Sequence, residues 1–205
     1  RKKYTVIDQE SGFEIEIDNE YMMSPKYLCT VDCLDQVIDT GIKVLKLEGR
    51  GKGADYVAMV TKTYRTAIDA YYEGNFTEEN VTKWMNDLRT VYNRDFWSGY
   101  YLGQKLGEWS DVPGSVATQK KVYVGKAMHY FQKVSIGEFK VEAYDIKVGD
   151  KILITGPSTG AQELIIDELF ANGEKVEKAT KGDDATFKLP FRVRLSDKMY
   201  KIVEA

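Results

Sequence analysis

One short run, residues 42–47, constrains the fold of this chain more than any other feature. It reads Ile-Lys-Val-Leu-Lys-Leu, so apolar side chains fall on both of its faces, and this pattern predicts a short strand. A strand of this kind is buried in a parallel sheet, between neighbouring strands and under helices on both sides. The 205 residues contain no second strand-helix-strand unit. We therefore expect its partner strands in upstream sequence, and the chain to be the C-terminal part of a longer protein.

The segments around this run predict a helix-strand-helix piece. Ser24 followed by Pro25 is typical of a helix start, with Ser as the N-cap and Pro at the first helical position, and Gly41 is a helix stop. A long helix is predicted over residues 54–72 from its apolar stripe. A further helix is predicted to begin at the cap Thr77. Together these segments indicate an α/β arrangement.

The sequence pattern changes after a polar segment rich in Gly and Pro. Short apolar runs then alternate with turn signals such as Gly149-Asp150 and Asn172-Gly173, which predicts a small closed β-barrel. Residues 156–160 match the G-x-S-x-G pattern of serine hydrolases. A strand-like run follows them and His129 is the only histidine, so we predict a hairpin turn there instead of a nucleophile.

At the start of the chain, apolar residues alternate with polar ones over residues 4–17. This alternation predicts a β-hairpin with its turn at residues 9–12.

Composition and charge exclude several classes of protein. Hydrophobic residues make up 43% of the chain and charged residues 30%, which is ordinary for a soluble globular protein. No run reaches the ~18 apolar residues that span a bilayer, and a net charge of −3 gives no basis for nucleic-acid binding. Cys29 and Cys33 do not form a disulfide framework. These features predict a cytoplasmic protein without a membrane partner.

Several motifs of the first half resemble one known family. Residues 21–29 read YMMSPKYLC, and residues 45–50 read LKLEGR. Further matching positions are Tyr56, Val57, Arg94, Gly99, Tyr100 and Gly103. Together these residues resemble the bacterial collagenase-like peptidase family of unassigned catalytic type, family thirty-two of the U class.

The resemblance implies a fold class and a division into domains. The fold class is an α/β segment, the end of an incomplete eight-fold βα barrel, followed by a small all-β barrel. Residues 1–106 are then the C-terminal portion of the βα barrel with trailing helices, residues 107–117 a linker, and residues 118–205 the β module. That module is similar to the second domain of elongation factor Tu, a kind of barrel that usually serves for docking or binding.

Glu48 and Arg50 are the candidate catalytic residues. They directly follow the predicted strand, and βα barrels build their active sites at the C-terminal ends of strands. A carboxylate there can act as a general acid or base, and a guanidinium can bind a carboxylate or phosphate. The alternative is a salt bridge that orders the glycine-containing loop after the strand.

Cys29 is open to two interpretations. From its position alone, it is a small buried apolar residue, and with Cys33 it gives only half of a metal site. Through the resemblance, Cys29 matches the last of several cysteines that bind an iron-sulfur cluster in related proteins, with three thiolates supplied by upstream sequence. Such a cluster is expected only in the full-length protein.

Arg94 and Tyr100 are candidates for substrate binding. Both belong to the family motif, and Tyr100 lies in an aromatic run, residues 96–101. Such rings can line a substrate cleft or stack on a base. The alternative is a cluster that closes a domain core under a loop.

Two functions of different classes follow from the resemblance. The family name implies hydrolysis of protein or collagen-like substrates. The chain would carry this out together with the upstream barrel segment as its partner. The iron-sulfur relatives imply a factor for hydroxylation of tRNA or rRNA bases. A non-catalytic binding module is the third interpretation. We expect no proteolysis from these 205 residues alone.

Overall fold

The computed structural model describes residues 3–17, 24–104, 107–110 and 112–205, with only the backbone of residues 15 and 17. The chain divides into two compact units. The first holds the chain up to Leu45 and Tyr64–Ala117, and the second holds Lys46–Thr63 and Thr118–Ala205.

The first unit begins with the predicted hairpin, which is confirmed. Strands β1 (Tyr4–Ile7) and β2 (Glu14–Ile17) pair antiparallel. The Asp8 carboxylate closes the turn, since it accepts hydrogen bonds from the N–H groups of Glu10 at 3.1 Å and Ser11 at 2.7 Å. Asp side chains often accept hydrogen bonds from backbone N–H groups of their own turn in this way.

The helix start predicted at Ser24 and Pro25 is wrong. Pro25 lies in extended chain and forms an isolated bridge with Trp109. Strand β3 (Tyr27–Leu28) follows and pairs parallel with β4 (Phe96–Trp97). Hydrogen bonds to this distant segment keep the backbone extended, so a tertiary pairing overrides the local cap signal.

Helical structure begins several residues later. A 3₁₀ turn spans Val31–Cys33, and helix α1 spans Leu34–Asp39. Gly41 has a φ of +86°, a value that favours glycine. The predicted helix stop at this position is therefore confirmed.

The strand predicted for residues 42–47 does not form among the described residues. Ile42 is 49% exposed and Val44 is 81% exposed. A β-strand exists only where an adjacent strand accepts and donates the hydrogen bonds of the ladder. No described segment of this chain supplies that neighbour.

The two later helices are confirmed. Helix α2 spans Ala54–Tyr72, and helix α3 spans Glu78–Arg89. The Thr77 hydroxyl accepts a hydrogen bond from the Asn80 N–H at 3.3 Å, as an N-cap does. Helix α3 buries Trp84 and Leu88.

The second unit contains an eight-stranded antiparallel sheet. Its strands are β5 (Gln119–Phe131), β6 (Ile136–Val141), β8 (Lys151–Gly156), β9 (Gly160–Ile165), β10 (Leu169–Ala171), β11 (Glu174–Val176), β13 (Asp184–Lys188) and β14 (Lys198–Glu204). They pair in the order β11-β10-β13-β6-β5-β14-β8-β9. Two short strands, β7 (Ile146–Lys147) and β12 (Lys178–Ala179), pair separately.

This sheet encloses an apolar core. Buried and partly exposed residues alternate along β6, and Phe139 stacks on Phe187 with ring centroids 5.0 Å apart. The prediction of an all-β module is confirmed, and its large sheet is antiparallel. Its closure into a barrel stays a prediction, because the pairings of the described strands give an open order. The turn between β8 and β9 occupies residues 157–159, which confirms a hairpin in place of a nucleophile elbow.

Candidate functional site

Glu48 and Arg50 lie on an exposed turn of the second unit. The Glu48 carboxylate accepts a hydrogen bond from the Arg50 N–H at 2.7 Å, and the Lys52 N–H donates to the Gly49 carbonyl at 3.0 Å. Gly51 has a φ of +70°, in the left-handed region where glycine costs least. The turn leads directly into helix α2.

This turn presents a carboxylate and a guanidinium to solvent two residues apart. A solvent-accessible carboxylate can accept a proton from a water molecule, and a guanidinium can bind a carboxylate through two parallel hydrogen bonds. Glu48 also orders the turn, but it does so through the backbone N–H of Arg50. The turn is therefore ordered and holds a carboxylate and a guanidinium at the surface.

Cys29 is buried in the first unit, 4% exposed. Its Sγ lies 3.8 Å from Met85 Sδ, and the Tyr64 hydroxyl lies 3.9 Å from the same Sγ. Burial raises the pKa of the Cys29 thiol above its ordinary value. A protonated thiol among apolar groups behaves as a small apolar side chain.

Cys33 is also buried, 2% exposed. Burial and the nearby Asp32 carboxylate raise the pKa of its thiol to about 11. Neither thiol therefore has the lowered pKa of a reactive cysteine.

The described residues do not by themselves fit an iron-sulfur cluster. A cluster takes about four thiolates, and the chain has 2 cysteines. No group of three or more His, Cys, Asp or Glu within the described ranges could hold a metal ion. The Sγ of Cys29 instead contacts Met85 and Tyr64.

Arg94 and Tyr100 also belong to the first unit. The Arg94 Nε is buried and has no hydrogen-bond partner among the described residues. Tyr100 is 61% exposed, and its ring meets the Trp97 ring edge to face at 5.1 Å. Tyr100 therefore offers an aromatic surface to solvent. Glu48 and Arg50 belong to the second unit, whereas Cys29, Arg94 and Tyr100 belong to the first.

Sequence analysis missed one charged cluster. The Lys26 ammonium lies 2.9 Å from a Glu108 carboxylate oxygen and 3.2 Å from one of Asp95. Its hydrogen bond with Glu108 raises the pKa of Lys26. Burial opposes ionisation of Asp95, but the Phe96 N–H and Lys26 lower the pKa of that carboxyl overall. Glu108 lies 82 positions away from Lys26, so no local sequence pattern could predict this cluster.

Comparison with known proteins identifies the family. The family model "Peptidase family U32" matches residues 1–111, and the chain belongs to this family. The resemblance predicted from the motifs is thereby confirmed.

Three relatives illustrate the range of this similarity. A collagenase of Porphyromonas gingivalis is 45% identical over 201 residues, which cover 98% of this chain and 49% of that protein. An uncharacterized protease of Methanocaldococcus jannaschii is 32% identical over 209 residues, 100% of this chain and 51% of that protein. The tRNA hydroxylation protein P1 of Bacillus subtilis is 31% identical over 160 residues, 75% of this chain and 37% of that protein. The chain thus spans about half of the length of the first two relatives and 37% of the third.

The sequence predicts no membrane-spanning segment, and the helices of the structure can be compared with this prediction. Within the described ranges, no helix has both the length and the apolar composition that a membrane crossing requires.

Proposed function

We propose that this chain works as part of a peptidase that hydrolyses protein substrates. The observation that carries the proposal is the 45% identity with a collagenase across 98% of this chain. In this proposal the active enzyme is a protein of the same length as these relatives that contains this chain. We call it the longer protein. We place it in the cytoplasm, as the cysteine content predicts.

In this proposal, residues 42–47 form the last or near-last strand of an eight-fold βα barrel. Their partner strands come from the upstream segment of the longer protein. The exposed apolar side chains of Ile42 and Val44 support this, because such side chains are buried in a parallel sheet. The second unit closes into a barrel and serves as a docking module for the protein substrate.

Glu48 acts as the acid-base residue. It takes a proton from the attacking water as the water oxygen bonds to the peptide carbonyl carbon, and it returns that proton to the leaving amine when the C–N bond breaks. Arg50 holds a carboxylate of the substrate through its guanidinium. Arg94 and Tyr100 contribute to substrate binding.

The test is gelatin cleavage by the longer protein and by its Glu48→Gln variant. Glutamine keeps the size of the side chain but cannot accept the proton, so kcat/KM is expected to fall about 100-fold or more. Glu73→Gln is the matched control, since Glu73 is also exposed but lies directly after helix α2, and it is expected to keep the full rate. Full activity of Glu48→Gln would remove Glu48 from the mechanism.

A second function has its own observation in its favour. The chain is 31% identical to a tRNA hydroxylation protein across 75% of its length. We propose as the alternative that the longer protein takes part in hydroxylation of tRNA or rRNA bases, with Cys29 and three upstream thiolates as ligands of an iron-sulfur cluster.

Iron and sulfide content of the purified longer protein separates the two proposals. The alternative predicts a brown protein that loses its iron on Cys29→Ala but keeps it on Cys33→Ala. Iron-free protein that cleaves gelatin would contradict the alternative and support the peptidase.

A further inference from the structure

An ion pair in the second unit joins the β sheet to the first turn of helix α2. Lys121 lies on strand β5, and its Nζ is 2.5 Å from Oδ1 of Asp55. The two side chains are 34% and 22% exposed, so water screens this pair less than it screens a fully exposed one. The partners are 66 positions apart in sequence.

Gly53 shows how closely this pair packs against the chain that follows Glu48 and Arg50. A Cβ built on Gly53 would overlap the Asp55 carboxylate and would lie 3.0 Å from Lys121 Nζ. A side chain at this position would therefore displace the ion pair. The absence of a side chain lets the pair lie directly against the backbone where the loop enters the helix.

The first turns of helix α2 also contact the other end of the loop. A Cβ on Gly49 would lie 2.8 Å from Cγ2 of Val57. Both ends of the segment from Gly49 to Gly53 are thus in close contact with the first turns of α2. The position of that helix end fixes the position of Glu48 and Arg50.

Lys121 itself is held by aromatic neighbours. Its Nζ lies 5.3 Å from the centroid of the Tyr200 ring, within the range of a cation–π contact. Tyr200 meets Tyr123 edge to face at 5.7 Å, and the Tyr123 hydroxyl donates a hydrogen bond to Glu142 at 2.5 Å. The charge at Lys121 therefore has a defined place on the sheet.

We propose that Lys121 is a positioning residue for the loop that bears Glu48 and Arg50. Through Asp55 and the first turn of α2, it fixes this loop on the β sheet of the second unit. The inference rests on the proposed function of Glu48, and it gives the β module a role in the geometry of the catalytic loop in addition to docking.

Hydrogen exchange of the loop tests this proposal without any activity. In the 205-residue chain, Lys121→Met removes the charge and keeps most of the length of the side chain. The hydrogen-bonded amides of this loop, those of Arg50 and Lys52, are expected to exchange about five-fold faster, as follows from losing roughly 1 kcal/mol of local stability. Asp55→Asn is expected to give the same change, and Lys121→Arg is expected to restore the slow exchange.

Lys120→Met is the matched control, because Lys120 is the preceding residue of the same strand and is exposed. It is expected to leave the loop amides unchanged. Unchanged loop exchange in Lys121→Met would overturn the inference, as would an equal acceleration in Lys120→Met. Equal acceleration throughout β6 and β13 would also overturn it, since that pattern indicates general destabilisation.

Kinetics of the longer protein give the second readout. Lys121→Met is expected to lower kcat for gelatin cleavage about five-fold with KM unchanged, because the loop is misplaced while the docking surface is intact. If the wild-type protein cleaves no gelatin while the loop amides respond as expected, the proposed function fails and the positioning role of Lys121 stands. If cleavage depends on Glu48 but kcat is unchanged in Lys121→Met, the role of Lys121 in catalysis fails.

Discussion

Both thiols of this chain are buried, and burial favours the neutral form of each. Cys29 and Cys33 are 4% and 2% exposed, and each has a raised pKa. A folded-state pKa above the unfolded value means that the folded protein binds the proton more tightly. Stability from such a group is complete below the unfolded pKa and is lost as the pH rises through the folded pKa.

Cys33 gives a prediction in a defined pH window. Its pKa is raised from 9.0 to about 11, so the free energy of unfolding is expected to fall as the pH rises across this range. The measurement is the urea midpoint just below pH 9 and again near pH 11. The drop is expected to be smaller in Cys33→Ala, in which the raised pKa of Cys29 still acts. An equal drop in both proteins would contradict this assignment.

Sequence analysis could name Cys29 but not its surroundings. The contacts of its Sγ come from Tyr64 and Met85, which lie 35 and 56 positions away. A local pattern cannot show which distant side chains meet a thiol. The sequence offered a buried thiol as one of two interpretations of Cys29, and its burial confirms that one, but the side chains that surround the thiol could be known only from the fold.

Among the elements, the two long helices are those that the sequence predicted best. Helix α2 occupies the predicted residues, and α3 follows its predicted cap. Their signals are local, because an apolar stripe and a capping side chain act within one or two turns. Residues 24–29 behaved differently, since their backbone hydrogen bonds go to distant residues, namely Asp95, Trp97, Glu108 and Ser110. No local signal encodes such a pairing.

The segment 42–47 gives a prediction at the scale of an element. In the 205-residue chain, Val44 is 81% exposed, so Val44→Asp is expected to change the free energy of unfolding by less than about 0.5 kcal/mol. In the longer protein the same side chain is buried in a sheet under our proposal. There the substitution buries an unpaired charge and is expected to cost about 3 kcal/mol or more. Urea unfolding of both proteins measures the difference.

Leu195→Asp is the control for this comparison. Leu195 is apolar and 71% exposed, and it lies in the second unit outside the segment. Its substitution is expected to be tolerated in both proteins. If Val44→Asp is equally harmless in the longer protein, residues 42–47 are not a buried barrel strand.

For the molecule as a whole, contacts place Lys46–Thr63 with the β module. The linear order of the sequence does not suggest this grouping, because it depends on contacts such as that of Lys121 with Asp55. Family membership could be predicted from short motifs, since these residues lie close together in sequence. The proposed catalytic arrangement could not be predicted, because the proposal assigns only the loop with Glu48 and Arg50 to this chain, which spans 49% of its collagenase relative.

The most direct test of the account is gelatin cleavage measured side by side for the longer protein and for the 205-residue chain. The account predicts cleavage by the longer protein and none by the chain alone, because the proposal assigns one loop of the site to these residues and the other barrel strands to the longer protein. Cleavage by the chain alone at the rate of the longer protein would contradict the proposed division of the site. A longer protein that holds iron and leaves gelatin intact would contradict the peptidase itself.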